Sequence, residues 1–280
     1  MTSFVERLDA ACGKNGSLLC VGLDPEPTLM PVEDIFSFNR EIVDATRDLV
    51  CAYKPNLGFY EAHGIPGLQA LQKTVEHIRA VAPDVIILGD AKRGDIANTA
   101  QKYAHAMFEV WGFDAVTVNP YGGHDAVQPF LDYKDKGTFV LCRTSNPGAG
   151  ELQDRLLVSE SGDKRHTLYE AVALEASGWN RYGNVGLVLG ATYPQQLSEV
   201  RRLCPEMPFL VPGIGAQEGS LEASVRGGVD ANGRRAIISS SRGVLYASRN
   251  ADFAEAARKA AQNLRDAINR ILSTEGHEWP

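Results

Sequence analysis

The stretch "DVIILGDAKRGDIANTA" (residues 84–100) joins a continuous apolar run to a charged segment and then to a helical pattern. The run "DVIILGD" predicts a buried strand, and "IANTAQKYAHAMFEVWG" (96–112) predicts a helix. Side chains i and i+2 of a strand point to the same side, so we expect Asp90 and Lys92 to project together where the strand ends. Asp95 falls where the helix begins. These three charges either stabilise the fold or bind a ligand.

Seven further apolar runs of strand length recur along the chain, separated by stretches of helical periodicity. Continuous apolar runs that alternate with helices indicate a parallel sheet covered on both faces. Eight such units predict an α/β fold, a single (β/α)₈ TIM barrel in one domain spanning residues 1–280. An open, doubly wound sheet is the alternative, although no run precedes G-x-G-x-x-G. The eight runs span residues 18–23, 49–54, 84–90, 114–120, 138–144, 184–191, 208–214 and 235–241.

One connection is much longer than the others. About forty residues separate the fifth and sixth runs, and "NPGAGELQDRLLVSESGDKRHT" (146–167) is polar for much of its length. We interpret this segment as an extended loop after strand 5, lying over the barrel mouth as a lid. A surface insertion without a function is the alternative.

Bulk properties exclude several classes of protein. The chain has 280 residues, 44% of them hydrophobic, which is enough to bury a large core. A net charge of -7 argues against broad affinity for nucleic acid or an anionic membrane, so an anionic ligand would need a locally basic pocket. The polar N-terminus and the strand-length apolar runs contain no signal peptide or membrane span. We therefore expect a cytoplasmic protein.

The metal-binding and redox-active residue types show no site pattern. The five cysteines are scattered without C-x-x-C, so we expect reduced, small core residues and no disulfides. The six histidines show no metal-ligand spacing, and no metal site is predicted. The cysteines are Cys12, Cys20, Cys51, Cys142 and Cys204.

Charged residues follow the first three apolar runs. Asp24 follows the first ("VGLDP"), Lys54 ends the second ("AYKPN"), and the third supplies the aspartates and the lysine of the opening stretch. The active site of a (β/α)₈ barrel lies at the C-terminal ends of its strands. Charges there are costly unless they pair, and an alternating Asp/Lys set that merely satisfies itself is the structural alternative. Their position at one end of the barrel favours a site.

Lys92 stands between two aspartates in sequence and should stay cationic. A cationic lysine is a poor Schiff-base nucleophile but a good electrostatic stabiliser and proton donor. A substrate carboxylate placed against Asp90 would be repelled in the bound ground state. Loss of CO₂ would relieve that repulsion while Lys92 stabilised the carbanion left behind.

The last two runs end in loops suited to an anion. "VPGIGAQ" offers backbone amides at Gly213 and Gly215 and the side-chain amide of Gln217, and "SSSRG" offers Arg242 and Gly243. The loops after strands seven and eight are the common phosphate site of this fold. Amides at a helix start and an arginine fork suit a phosphate monoester, although glycines also simply make tight turns.

The stretch "DAKRGDIANTA" resembles the D-x-K-x-x-D signature of the orotidine 5′-phosphate decarboxylase family, with Ile96 and Thr99 supplying the following I-x-x-T. "VGLDP", "AYKPN", "RTSNPGA", "VPGIGAQ" and "SSSRG" fall in the expected order, so the resemblance covers essentially the whole chain. These motif sequences and the long loop resemble those of the longer bacterial, type 2 subfamily. The resemblance implies decarboxylation of orotidine 5′-monophosphate to uridine 5′-monophosphate, the last step of de novo pyrimidine synthesis, without metal or organic cofactor.

The resemblance also implies a role for each matching residue. Lys92 would protonate the C6 carbanion, and Asp90 would lie against the departing carboxylate. The family lends the last aspartate of the signature across a homodimer interface, so Asp95 and Thr99 would reach the neighbouring subunit's site. Asp24 and Lys54 would bind the ribose hydroxyls and complete the charge network, with Lys54 also a catalytic residue. Ser145 would contact the pyrimidine edge, and Gln217 and Arg242 would bind the phosphate.

Two of these residues have plainer interpretations. Asp95 precedes "IANTAQ" and fits a helix N-cap, and Ser145 precedes Asn146-Pro147 and fits a loop turn. The long loop leaves open which residue closes over the substrate. The candidates there are Glu151, Gln153 and Arg155.

Two other functions compete with decarboxylation of the nucleotide. Mg²⁺-dependent keto-sugar-phosphate decarboxylases and synthases share D-x-K-x-x-D, but they carry a glutamate for the metal where this chain carries Lys54. A non-catalytic barrel that only binds a phosphate ligand is the second alternative. Every expected charged position is filled, which argues against a decayed site.

Overall fold

Eight parallel strands close into a barrel, as predicted, and the open-sheet alternative is wrong. The computed structural model describes residues 2–158, 165–214 and 220–279. The barrel strands are β1 (Leu19–Leu23), β2 (Ala52–Pro55), β3 (Ile86–Arg93), β4 (Ala115–Val118), β5 (Gly137–Arg143), β8 (Val185–Leu189), β9 (Phe209–Pro212) and β10 (Ala236–Ser240). Around the barrel the order is β1-β10-β9-β8-β5-β4-β3-β2. The barrel closes where β10 pairs with β1, with Leu19 opposite Ile238.

Helices surround the barrel and begin at recognisable caps. The α-helices are α1 (Phe4–Asn15), α2 (Ile35–Thr46), α3 (Leu57–Glu61), α4 (Gly64–Val81), α5 (Ala97–His105), α6 (His124–Leu131), α7 (Gly150–Gln153), α8 (Leu168–Trp179), α9 (Pro194–Leu203), α10 (Leu221–Gly228), α11 (Arg242–Leu245) and α12 (Phe253–Thr274). Ser3 and Glu6 form a reciprocal capping box at α1, and Asp34 accepts the N–H of Ser37 at the start of α2.

The barrel interior is a packed core. Every residue of β1, β8 and β10 is buried, which is why β1 and β8 read as unbroken apolar runs. At the N-terminal end of the barrel, Phe4 of α1 packs edge-on against Phe139, with ring centroids 5.9 Å apart. Gly137 makes room for it, because a Cβ at this position would lie 2.6 Å from the Phe4 ring. The opposite end is left open for a ligand.

The long connection after β5 contains regular structure, so the expectation of a loop is corrected in part. It forms α7 and then an antiparallel hairpin of β6 (Leu156–Val158) and β7 (Arg165–Thr167). The three apolar side chains of β6 are exposed. Residues 159–164 lie outside the described part of the chain.

The five cysteines are buried and form no disulfide, as predicted for small core residues. Within the described ranges, no helix is long and apolar enough to cross a membrane.

Candidate active site

A cavity of about 800 Å³ opens at the C-terminal ends of the barrel strands. Such a volume suits a ligand of nucleotide size, and this end of the barrel is where the fold places its active sites. Most of the predicted site residues within the described ranges line it, namely Asp24, Lys54, Asp90, Lys92, Ser145 and Arg242.

Four charged side chains form one network on the cavity wall. Lys54 Nζ lies 3.0 Å from Asp90 Oδ2 and 4.0 Å from Asp24 Oδ1. Lys92 Nζ lies 2.6 Å from Asp90 Oδ1. The Lys54 side chain is buried, whereas that of Lys92 is 48% exposed and reaches into the cavity. The predicted meeting of these charges at the strand ends is therefore correct.

The surroundings of Asp90 and Lys54 keep both groups charged. Burial alone disfavours the carboxylate of Asp90, but the charges and hydrogen bonds of Lys54 and Lys92 hold its pKa well below the usual value. Burial likewise disfavours the ammonium of Lys54, yet the carboxylates of Asp90 and Asp24 raise its pKa. Beneath them, burial raises the pKa of the Cys20 thiol to about 12. At neutral pH the site thus holds a lysine–aspartate ion pair above a neutral thiol.

The end of β3 departs from the regular alternation expected there. Its register against β4 shifts between Gly89 and Arg93, so residues 90–92 face the single residue Thr117. Lys92 has a φ of +49°, a left-handed conformation that costs a non-glycine residue roughly 1–2 kcal/mol. The Thr117 hydroxyl contacts both Asp90 and the Lys92 backbone. No sequence signal pointed to Thr117, because its role depends on the register shift.

Asp24 lines the cavity at the end of β1. Its Oδ1 is buried and accepts no hydrogen bond from the described residues. The Tyr246 hydroxyl donates to the Asp24 carbonyl at 3.0 Å and accepts the N–H of Glu26 at 2.6 Å, which fixes this turn. Gly22 is required next to it, since a Cβ there would lie 1.9 Å from Ser241 Oγ. Sequence reasoning missed Tyr246, which lies more than two hundred residues from its partners.

A buried arginine holds the segment that carries Ser145. The Arg143 guanidinium pairs with Asp154 at 2.9 Å and lies 3.7 Å from the centre of the Tyr193 ring. The following residue, Thr144, donates its backbone N–H to Gln153 Oε1 at 2.9 Å. These contacts fold α7 back over the segment and place Gln153 in the cavity wall.

The remaining loop candidates do not line the cavity. Arg155 Nε instead donates to the backbone carbonyl of Glu151, and both residues are exposed. Of the three residues considered for closure over a ligand, only Gln153 is at the cavity.

The ends of β9 and β10 bring two of the predicted anion-binding residues to the cavity. Arg242 begins α11 and lines the cavity, as does Gly213, whose φ of +104° suits glycine. The amides of Arg242 and Gly243 donate to no backbone carbonyl of the described residues, as expected at a helix start. Gly215 and Gln217 lie outside the described residues.

Asp95 and Thr99 are not brought into this cavity. Thr99 is exposed, and Asp95 forms no ion pair within the described ranges. The N-cap of α5 is Ile96, and Asp95 Oδ1 only accepts the N–H of Ile96 at 2.7 Å. The N-cap interpretation of Asp95 is therefore wrong, because the helix begins one residue later than expected.

The donor set at the cavity does not suit a divalent cation. In the described part of the chain, no group of three or more His, Cys, Asp or Glu side chains could hold a metal ion. The Lys54 ammonium lies between Asp24 and Asp90, where a cation bound by both carboxylates would have to sit. Its charge would oppose a Mg²⁺ ion there.

Comparison with known proteins agrees with this geometry. A family model described as "Orotidine 5′-phosphate decarboxylase / HUMPS family" matches residues 17–260. Curated orotidine 5′-phosphate decarboxylases from Roseiflexus castenholzii and Paracidovorax citrulli are 53% and 48% identical to this chain. Each alignment covers at least 95% of this chain and 98% of the relative. The solved structure of Leishmania donovani OMP decarboxylase is 41% identical with a TM-score of 0.83, and the match covers 96% of this chain and 98% of that one. The chain therefore belongs to the orotidine 5′-phosphate decarboxylase / HUMPS family.

Proposed function

We propose that this protein decarboxylates orotidine 5′-monophosphate to uridine 5′-monophosphate and CO₂, the last step of UMP biosynthesis. The observation that carries the proposal is the ionised Asp90, held between Lys54 and Lys92 on the cavity wall of a chain from this family. The reaction needs no cofactor, and the whole chain, residues 1–280, acts as one catalytic domain. Its free cysteines suit the reducing cytoplasm.

The chemical step uses both charged groups of the Asp90–Lys92 ion pair. The substrate carboxylate at C6 lies against Asp90, and the two negative charges repel each other in the bound ground state. When the C6–carboxylate bond breaks, CO₂ leaves and the bonding electron pair stays on C6. The Lys92 ammonium stabilises this carbanion and transfers a proton to it. Because Asp90 has a lowered pKa, it remains charged at neutral pH and the repulsion persists.

Several strand ends share the binding of the substrate. The Asp24 carboxylate, which lines the cavity, accepts a ribose hydroxyl, and Lys54 completes that contact. Ser145 contacts the pyrimidine edge from the segment held by Arg143. The phosphate is bound by Arg242, Gln217 and the loop glycines Gly215 and Gly243. Phosphate binding far from C6 supplies energy that closes the site over the base.

The site is completed by a second copy of the chain. Asp95 is half-buried without an ion-pair partner in the described ranges, and Ile96 beside it is 74% exposed. An exposed apolar residue next to an available carboxylate is suited to a protein interface. We place Asp95 and Thr99 across a homodimer interface, near the partner's lysine and ribose 2′-hydroxyl.

Ultraviolet absorbance of orotidine 5′-monophosphate, followed in excess EDTA with the purified protein, tests the activity. We expect steady conversion to the spectrum of uridine 5′-monophosphate. Well-folded protein that binds uridine 5′-monophosphate without any turnover would refute the proposal. It would favour a barrel that only binds. Activity on keto-sugar phosphates that required Mg²⁺ would also refute it.

Mixing two inactive variants tests the shared site. Asp95→Ala retains Lys92, and Lys92→Ala retains Asp95, so a mixed dimer contains one complete site. Random exchange of equal amounts should restore about a quarter of wild-type activity, because half of the dimers are mixed. If native mass spectrometry shows mixed dimers and no activity returns, the sites are not shared.

A further inference from the structure

The hydroxyl of Thr117 on β4 contacts two members of the charged network. Its Oγ1 donates to Asp90 Oδ1 and accepts the backbone N–H of Lys92, both at 2.9 Å. Thr117 is 1% exposed, so water does not compete for these bonds. An ionised carboxylate can only accept, which directs the hydroxyl proton to Asp90 and leaves a lone pair for the Lys92 N–H.

The strand register explains why a side chain makes these bonds. Residues 90–92 of β3 face Thr117 alone, so this part of the strand leaves the regular ladder. Lys92 has no Cα partner in the register of β3 against β4, and its N–H donates to the Thr117 hydroxyl. The Thr117 hydroxyl takes the place of that ladder bond and holds Lys92 in its left-handed conformation. Such conformations persist where the surroundings over-determine them, and they cluster at active sites.

We propose that Thr117 is a positioning residue for the proton transfer. It holds the Lys92 backbone and the Asp90 carboxylate at one common atom, so that the ammonium group stays against the carboxylate. The inference rests on the proposed decarboxylation and adds a residue that does not touch the substrate, because Thr117 does not line the cavity. Its loss should impair the chemical step and leave binding intact.

Thr117→Val, which keeps the shape and removes the hydroxyl, tests this role. Misplacement of a catalytic group by about 1 Å can cost ~100-fold, so we expect kcat to fall between about 10-fold and 100-fold. KM and the Kd for uridine 5′-monophosphate should change by less than about 3-fold, because uniform binding is retained. Thr117→Ser keeps the hydroxyl and should recover most of kcat.

Thr138→Val is the matched control. Thr138 of β5 is also buried, but its Oγ1 has no hydrogen-bond partner among the described residues, so kcat should not change. If Thr117→Val does not fold, Thr117→Ala against Thr117→Ser gives the same comparison.

If the wild-type protein is active, three results would overturn the positioning role. The first is an unchanged kcat in Thr117→Val, and the second is a loss of kcat in Thr117→Val that is matched by a loss of nucleotide affinity. The third is a Thr117→Ser variant that is as slow as Thr117→Val. Wild-type protein without turnover would overturn the proposed function and this inference together.

Discussion

Replacement of Lys54 by methionine should destabilise the fold far more than loss of a surface lysine. At an effective dielectric constant of ~20, its ammonium attracts Asp90 at 3.0 Å by about 5 kcal/mol and Asp24 at 4.0 Å by about 4 kcal/mol. Desolvation of the buried ammonium offsets several kcal/mol of this attraction. Lys54→Met, however, leaves both carboxylates in place with one cation fewer. We therefore expect the free energy of unfolding to fall by about 3–5 kcal/mol.

The pH dependence of this loss has a definite sign. The Asp90 carboxyl has a lowered pKa in the folded protein, so its contribution to stability is present above the unfolded-state pKa of about 4. That contribution disappears as the pH falls through the folded-state pKa. Lys54→Met lacks most of it at every pH. The difference between wild type and variant should hold between about pH 6 and 8 and shrink below about pH 4.

Urea unfolding of the two proteins, followed by circular dichroism, measures the difference. The control is Lys14→Met, which breaks a pair with Asp84 at 2.5 Å in which both side chains are 59% exposed. Such exposed pairs contribute about 0–1 kcal/mol. If Lys54→Met costs no more than Lys14→Met at pH 7, or if its cost grows toward acid pH, the electrostatic account of the network is refuted.

Three further variants test other parts of the site. Asp90→Asn removes the charge that repels the substrate carboxylate, so kcat should fall roughly 100–1000-fold in steady-state kinetics. The affinity for uridine 5′-monophosphate, measured by calorimetry, should be retained. An unchanged kcat would contradict this role of Asp90. Gly190→Ala would put a methyl group 2.8 Å from the Ser145 backbone and should raise KM about 10-fold. In the control Gly178→Ala the new methyl group has nothing within 4 Å, so KM should stay at the wild-type value. Equal KM values for the two variants would contradict this. Arg143→Lys loses the fork on its carboxylate partner and should lower Tm by about 5 °C in scanning calorimetry; an unchanged Tm would show that the pair is dispensable.

The barrel was predictable because both faces of its strands are buried. An apolar run shows which residues are buried, however, and does not show where the hydrogen-bonded strand begins and ends. The second run begins at Leu49, but the strand begins at Ala52, after a buried turn. The third run ends at Asp90, yet β3 continues to Arg93. Asp90 and Lys92 near its end are charged because they belong to the site. Apolar content therefore underestimates the length of a strand that ends in functional residues.

The site was predictable to the extent that topology alone determines it. Charges at the ends of neighbouring parallel strands must meet, which sufficed for Asp24, Lys54 and Asp90. Thr117 and Tyr246 act through register and through contacts distant in sequence. Neither carries a local signal, since buried threonines and tyrosines are ordinary core residues.

A network of alternating charges at the barrel mouth could serve only to stabilise the fold. A purely structural network would be closed, with each charged group paired and each buried oxygen bonded. Here Asp90 accepts hydrogen bonds from Lys54, Lys92 and Thr117, which is the structural half of the answer. The other half is that the Lys92 side chain is 48% exposed at the cavity and that Asp24, which lies 4.0 Å from Lys54, also lines the cavity. The network is closed at its centre and open on the cavity side, as expected of charges that stabilise the barrel and still have a substrate to bind.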